Sequence, residues 1–222
     1  MRDYRRIVDP QQRLAESVQR LGELIISRPL DDEQASRLAD RVDALGDAFD
    51  GIDPLDKMDR FGGRNRVHEF MDTGSWPAPP PDGEEMDFDI GSAVGGEFNP
   101  FSIGTKYYRD GDESVGRVSV PRCFEGPPGR VHGGFICAIF DEVMGTVFRA
   151  TGTSSAFTGE LTVRFEGPAP IVTDLEFRAR EVRTDGRKRF LEGTATGPGG
   201  QFASAKGTFI NMRPEQLGTQ VL

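Results

Sequence analysis

Hydrophobic side chains recur along this chain with two different periods, and the change from one to the other divides it. Up to residue 52 the period is helical. Asp9-Pro10 supplies an N-cap and a proline at the first helical position, and Leu14, Val18, Leu21 and Ile25 follow at three- and four-residue intervals. Arg28-Pro29 ends that helix. A second helix starts at Asp31, where Asp31-x-x-Gln34 has the form of a capping box, and Ala35, Leu38, Val42, Leu45 and Phe49 make its apolar stripe. We expect residues 1–52 to form a helical hairpin docked on the main body, because a stripe at core spacing is usually core. A separate partner-binding role is the alternative.

Periodicity then lapses over residues 53–96. Gly62-Gly63, Trp76-Pro77-Ala78-Pro79-Pro80-Pro81 and Gly95-Gly96 suit a long connection laid over a surface. Phe61, Phe70, Met71 and Trp76 are costly to leave in water, so part of this segment should pack down.

From residue 97 to 213 the period becomes two, interrupted once. Phe101 to Tyr108 and Val115 to Val120 predict a strand pair, and a helix apolar on nearly every side follows from about Gly134 to Ala150. Four strands come next. Leu161, Val163 and Phe165 alternate with Thr162, Arg164 and Glu166, and Leu175, Phe177 and Ala179 alternate with Glu176, Arg178 and Arg180. Asp185-Gly186 marks a hairpin turn, Gly197 to Gly200 the next turn, and a last strand ends near Asn211. Residues 214–222 read as a tail. The class is α+β: an antiparallel sheet of about six strands enclosing one long helix, with an N-terminal helical extension.

Composition narrows the function. With 222 residues and 36% hydrophobic content the chain can bury a sizeable core. A net charge of -9 disfavours nucleic acid and anionic membrane surfaces, which need a positive field. No apolar run reaches the ~20 residues of a membrane span and no signal-peptide core follows Met1, so a cytoplasmic protein is expected. Cys123 and Cys137 form neither a disulfide framework nor a zinc-ligand pattern, and no metal is expected.

The central helix carries two acids, Asp141 and Glu142, on an otherwise apolar surface. A buried carboxylate is costly unless paired and its pKa rises, which suits base or nucleophile chemistry; pairing with an arginine is the structural alternative. Upstream, Glu125-Gly126-Pro127-Pro128-Gly129 is a rigid turn, and His132-Gly133-Gly134 opens the helix. Glycines there let a substrate oxygen approach free N–H groups at the positive end of the helix dipole, the geometry of an oxyanion hole. Asp141 lies roughly 11 Å further along at 1.5 Å per residue, so one carbonyl cannot easily touch both. A two-fold dimer solves this by setting the helix start of one subunit against the acid of the other.

The stretch from about Asn99 to Asn211, roughly half the chain, resembles hotdog-fold thioesterases of the PaaI-like, 4-hydroxybenzoyl-CoA-thioesterase-type superfamily. The resemblance is carried by His132-Gly133-Gly134, an acid nine positions after the histidine, Thr158, and Leu161-Thr162-Val163-Arg164-Phe165 leading into Pro168-Ala169-Pro170. It implies acyl-CoA hydrolysis in which Asp141 activates water or attacks the thioester carbon. Gly133 would donate its N–H to the carbonyl oxygen, with Gly134 beside it, His132 would orient or polarise the thioester, and Thr158 would place a hydroxyl beside the acid. Some relatives carry an asparagine six residues before the histidine; Gly126 stands there, leaving Asn99 or Glu125 as substitutes. Glu142 points about 100° from Asp141 and is taken as a supporting acid. Coenzyme A enters as part of the substrate and no cofactor is implied. Arg187-Lys188-Arg189 is the densest basic cluster, with Arg187 and Arg189 expected on one face, and is read either as a hold for the CoA phosphates or as a solvated hairpin end. A hotdog hydratase or dehydratase and a non-catalytic acyl-CoA-binding protein are the other functions to weigh; a dimer, or a pair of dimers, is the expected assembly.

Overall fold

The computed structural model describes residues 9–54, 78–153 and 156–211. Phe61, Phe70, Met71, Trp76 and the tail lie outside the described residues. Two helices open the chain, α1 (Pro10–Ser27) and α2 (Asp32–Gly46). Then come β1 (Lys106–Asp110), β2 (Glu113–Ser119), α3 (Gly133–Thr151), β3 (Ala156–Phe165), β4 (Asp174–Asp185), β5 (Lys188–Gly197) and β6 (Gly200–Asn211). The six strands form one antiparallel sheet in the order β1-β2-β4-β5-β6-β3, wrapped on α3 in the hotdog arrangement.

Burial follows the pattern that set the elements. Ile139, Phe140, Val143, Met144, Val147 and Phe148 of α3 are fully buried against Leu175, Phe177, Leu191, Ala203 and Phe209 of the sheet. Phe140 meets Phe177 edge-on at 5.0 Å and Phe148 meets Phe209 at 5.6 Å. The helix sits close because β2 has no side chain at Gly116: a Cβ there would lie 2.5 Å from Val143 Cγ2. The α3 carboxyl end closes at Gly152, whose φ of 65° suits glycine.

The edges of the prediction moved for physical reasons. The first strand begins at Lys106 and not at Phe101, because Gly104 takes a φ of 87° and breaks the extended run. Within the connection, residues 83–86 lie along β1, with Met86 N–H donating to Tyr107 O at 2.7 Å, and Met86, Asp89, Ser92 and Val94 are buried.

The N-terminal helices behave differently from one another. On α1, Ala15 is buried, Gln19 Nε2 donates to Ser102 O at 2.6 Å, and the Glu23 carboxylate reaches the 3₁₀ turn Arg122–Phe124. The capping box at Asp31 forms with Gln34, but α2 buries no residue, and Leu38, Val42, Leu45 and Phe49 are all exposed. Docking of the α2 stripe as core is therefore not met among the described residues, and on the α1 stripe Leu14, Val18 and Ile25 are exposed as well. A heptad-like period says that a face wants cover; it does not say that this chain supplies it. No described helix is long and apolar enough to cross a membrane.

Candidate active site

His132 is the N-cap of α3, with extended backbone (φ −65°, ψ 133°), and its Nδ1 accepts the Gly134 N–H at 3.0 Å. In the neutral ring this leaves the proton on Nε2, on an exposed side chain. Sequence reasoning grouped Gly133 and Gly134 as donors. The structure separates them: the Gly134 N–H is taken by His132, whereas among the described residues no acceptor meets the Gly133 N–H. Gly133 therefore holds the free amide at the positive end of α3, the longest of the described helices.

The loop that presents this amide is tied at its base. His132 N–H donates to Phe124 O (3.0 Å), Gly126 N–H to Arg130 O (2.9 Å) and Val131 N–H to Ala169 O (2.9 Å). The Phe124 and Phe135 rings meet edge-on at 4.7 Å. Glu125, expected as a substitute water-positioning group, accepts the Gly129 N–H at 2.5 Å and so serves the turn. Asn99 donates to Gly91 O and accepts from Phe101 N–H, which spends both ends of its amide inside its own loop. Gly126 has a steric reason: a Cβ there would lie 2.9 Å from His132 Cα.

Asp141 and Thr158 are brought together, from α3 and β3, with Thr158 Oγ1 donating to Asp141 Oδ1 at 2.6 Å. The strand reaches the helix at this point because the register slips between Thr158 and Glu160. The other acid, Glu142, is held by side chains from outside α3. Burial pushes the Glu142 carboxyl above its usual range, and hydrogen bonds from Tyr107 Oη (2.5 Å) and Ser92 Oγ (2.7 Å) hold it back. Those two partners join β1 and the connection to α3 and were not found from sequence; separations of 35 and 50 residues leave no local signal. Tyr107 in turn is raised well above its ordinary value, by burial first and Glu142 second.

Asp141 is half-exposed on a face of α3 that also holds Gly134, Cys137, Ala138 and Gly145, none of them buried. A Cβ at Gly145 would meet nothing within 4 Å. Beside this face runs β3, ten residues long and, among the described residues, paired only with β6, with Phe157 62% and Phe165 54% exposed. The Phe165 ring lies over Gly133, 3.2 Å from where a Cβ would stand. Acid and amide thus border one open surface. A groove of about 690 Å³ lined by Arg164, Arg178, Glu192 and Lys206 is on the other face of the sheet and contains neither group.

The basic cluster divides. Arg189 is buried, ion-paired with Glu181 and stacked over Phe148 at 4.9 Å, so it does not share a face with Arg187. Arg187 is exposed at the turn and donates to Asn211 O (3.0 Å); Lys188 is exposed beside it. Cross-strand register places Lys188, Ile210 and Phe157 in one row, next to the row of Arg189, Phe209 and Thr158. Two strand spacings, about 10 Å, separate Lys188 from Phe157.

The thioesterase superfamily model matches residues 128–200, which run from the turn before His132 through β5 to the start of β6. The acyl-coenzyme A thioesterase THEM4 of Mus musculus is 30% identical over 94 residues, covering 41% of this chain and 40% of that protein. The Bos taurus protein of the same name is 28% identical over 97 residues, covering 43% and 39%. The match thus spans about two-fifths of the length of these curated relatives. A crystal structure of a thioesterase superfamily protein superposes with a TM-score of 0.74 at 20% identity, covering 92% of each chain, a likeness of fold that extends beyond the family match.

Proposed function

We propose, from the match of residues 128–200 to the thioesterase superfamily model, that the protein hydrolyses an acyl-CoA to the free acid and coenzyme A. The observation that carries the reading is the hydrogen bond from Thr158 to Asp141, which fixes a carboxylate on a helix whose own start offers a free glycine amide. The thioester carbonyl oxygen sits on the Gly133 N–H, where the helix dipole adds to the stabilisation of the developing negative charge. His132 Nε2–H steers the thioester end. With Oδ1 held by Thr158, Asp141 Oδ2 takes a proton from the attacking water, or attacks the carbonyl carbon to give an anhydride that water opens. Either route breaks the C–S bond, and the departing thiolate is protonated to CoA-SH. Single turnover in ¹⁸O water identifies direct attack if water opens the anhydride at the Asp141 carbonyl, which leaves label in that carboxylate, and trapping of the acyl-enzyme with hydroxylamine covers opening at the acyl carbon.

The site is shared between two copies of the chain. The acid and amide lie roughly 12 Å apart along α3, and both border an open surface flanked by an unpaired, phenylalanine-bearing strand edge, which is a template for pairing with its own symmetry mate. Arg187 and Lys188, at the Thr158 end of the sheet, take the CoA phosphates. The setting is cytoplasmic.

Thiol release from a panel of acyl-CoAs tests this. Asp141→Asn should lose about 10²-fold or more in turnover with acyl-CoA binding retained, the contribution usual for a general acid–base group. Binding by the parent without any thiol release would favour a non-catalytic acyl-CoA-binding protein, and water addition without release a hydratase.

A further inference from the structure

The 3₁₀ turn Arg122–Phe124 stands at the base of the loop that presents His132 and Gly133, and its N-cap, Pro121, makes no side-chain cap. The missing cap comes from a hundred residues away. Glu23, in the last two turns of α1, accepts the Cys123 N–H on Oε1 at 2.7 Å and the Arg122 N–H on Oε2 at 3.2 Å. Both carboxylate oxygens are therefore committed to two adjacent backbone amides that the turn leaves open. Contact between α1 and this turn is accompanied by the Gln19 bond to Ser102, so Glu23 is carried on a helix seated at two points. Burial and the Glu23 carboxylate together push the Cys123 thiol up to about 12, which keeps it a neutral neighbour of that carboxylate.

From the turn the connection to the site is short. Phe124 O accepts the His132 N–H at 3.0 Å, and the Phe124 ring packs edge-on against Phe135 in the first turn of α3. His132 then caps Gly134, leaving Gly133 as the free donor. A shift of the turn is passed directly to the residue that aims the amide.

We infer that Glu23 is a positioning residue for the oxyanion loop, so that α1 forms part of the catalytic apparatus through the turn at Arg122–Phe124. Geometry errors at such a donor act on the transition state more than on substrate binding. The kinetic part rests on the thioesterase reading; the structural part does not.

Glu23→Ala and Glu23→Gln are compared with Glu33→Ala, an exposed acid on α2, by hydrogen–deuterium exchange and by thiol release. Peptides spanning residues 122–136 should exchange faster in Glu23→Ala, by about tenfold or more, while those of β4–β6 stay as in the parent. Glu23→Gln, which keeps one acceptor oxygen, should recover part of the protection, and Glu33→Ala should match the parent. Turnover of Glu23→Ala should fall about tenfold in kcat with KM within about twofold, the pattern of an interaction made only in the transition state. Unchanged exchange at 122–136 would overturn the inference whether or not any thioester is cleaved. Faster exchange with parental kcat would overturn the positioning role and leave Glu23 as a fold contact. If the parent releases no thiol at all, the thioesterase reading fails and the exchange result alone decides on Glu23.

Discussion

Gly133→Pro removes one atom group from the proposed mechanism and little else. Proline lacks the N–H and is well suited to the first position of a helix, where that hydrogen has no intrahelical partner. His132, the residue before it, already has ψ 133°, which proline requires of its neighbour. The added Cβ meets only the tip of the Phe165 ring, at 3.2 Å, on a side chain that is 54% exposed and free to turn. The helix start should survive, and the melting temperature should stay within a few degrees of the parent. The cost falls on chemistry. One oxyanion donor contributes about 10²–10³ in kcat, or roughly 2.7–4 kcal/mol. Gly134 cannot substitute, since its N–H is held by His132 at 3.0 Å. The helix dipole remains, so the lower end, about 10²-fold, is expected. Thiol release under saturating acyl-CoA, on protein whose fold is checked by circular dichroism, measures it. A folded Gly133→Pro protein with parental kcat would refute the assignment of this amide.

Two further outcomes follow from the hydrogen bonds around the acids. Thr158→Val keeps the shape and a strand-favouring side chain but deletes the hydroxyl donating to Asp141; kcat should fall about 5- to 30-fold, for the ~1–2 kcal/mol of a hydrogen bond to a charged group outside the dry core, with Thr158→Ser near the parent. Glu142 is an acid whose native pKa is raised by burial, so the native state holds its proton to higher pH than the unfolded chain does. Its stabilising contribution is complete below the unfolded value near 4.5 and is lost as pH rises through the native value. Glu142→Gln keeps an oxygen for both Tyr107 and Ser92 and removes the titration. Thermal melts from pH 4.5 to 7.5 should show the parent losing ground to the variant as pH rises. Asp89, the other acid facing Glu142, is common to both proteins; parallel curves would contradict the assignment.

What could be read from the residues was local. The α3 helix, the His132-Gly133-Gly134 start and the acid nine positions on lie within one element, and period and spacing are enough to find them. Thr158 was reachable because a family motif marks it, although its bond to Asp141 depends on a register slip that no alternation rule foresees. Contacts that cross the chain were not legible. Glu23 lies 99 and 100 residues from the amides it caps, and Ser92 and Tyr107 were unremarkable side chains until the fold put them on Glu142. Alternation grouped Arg187 with Arg189, but the turn at Gly186 ends the strand, leaving Arg187 outside it and Arg189 buried over Phe148. Periodicity on α2 was read as a stripe that docks, but among the described residues nothing covers it, since amphipathicity reports a need for cover without naming its source.

Mixing subunits reaches the claim on which the mechanism depends, that Asp141 of one copy works with Gly133 of another. Asp141→Asn and Gly133→Pro, each nearly inactive alone, are co-expressed with different tags and the doubly tagged species is isolated. One of its two sites then carries both lesions and the other carries neither, so about half of the parental turnover per dimer should return. Hybrids no more active than the separate variants would place the acid and the amide of each site in the same chain and contradict the shared site.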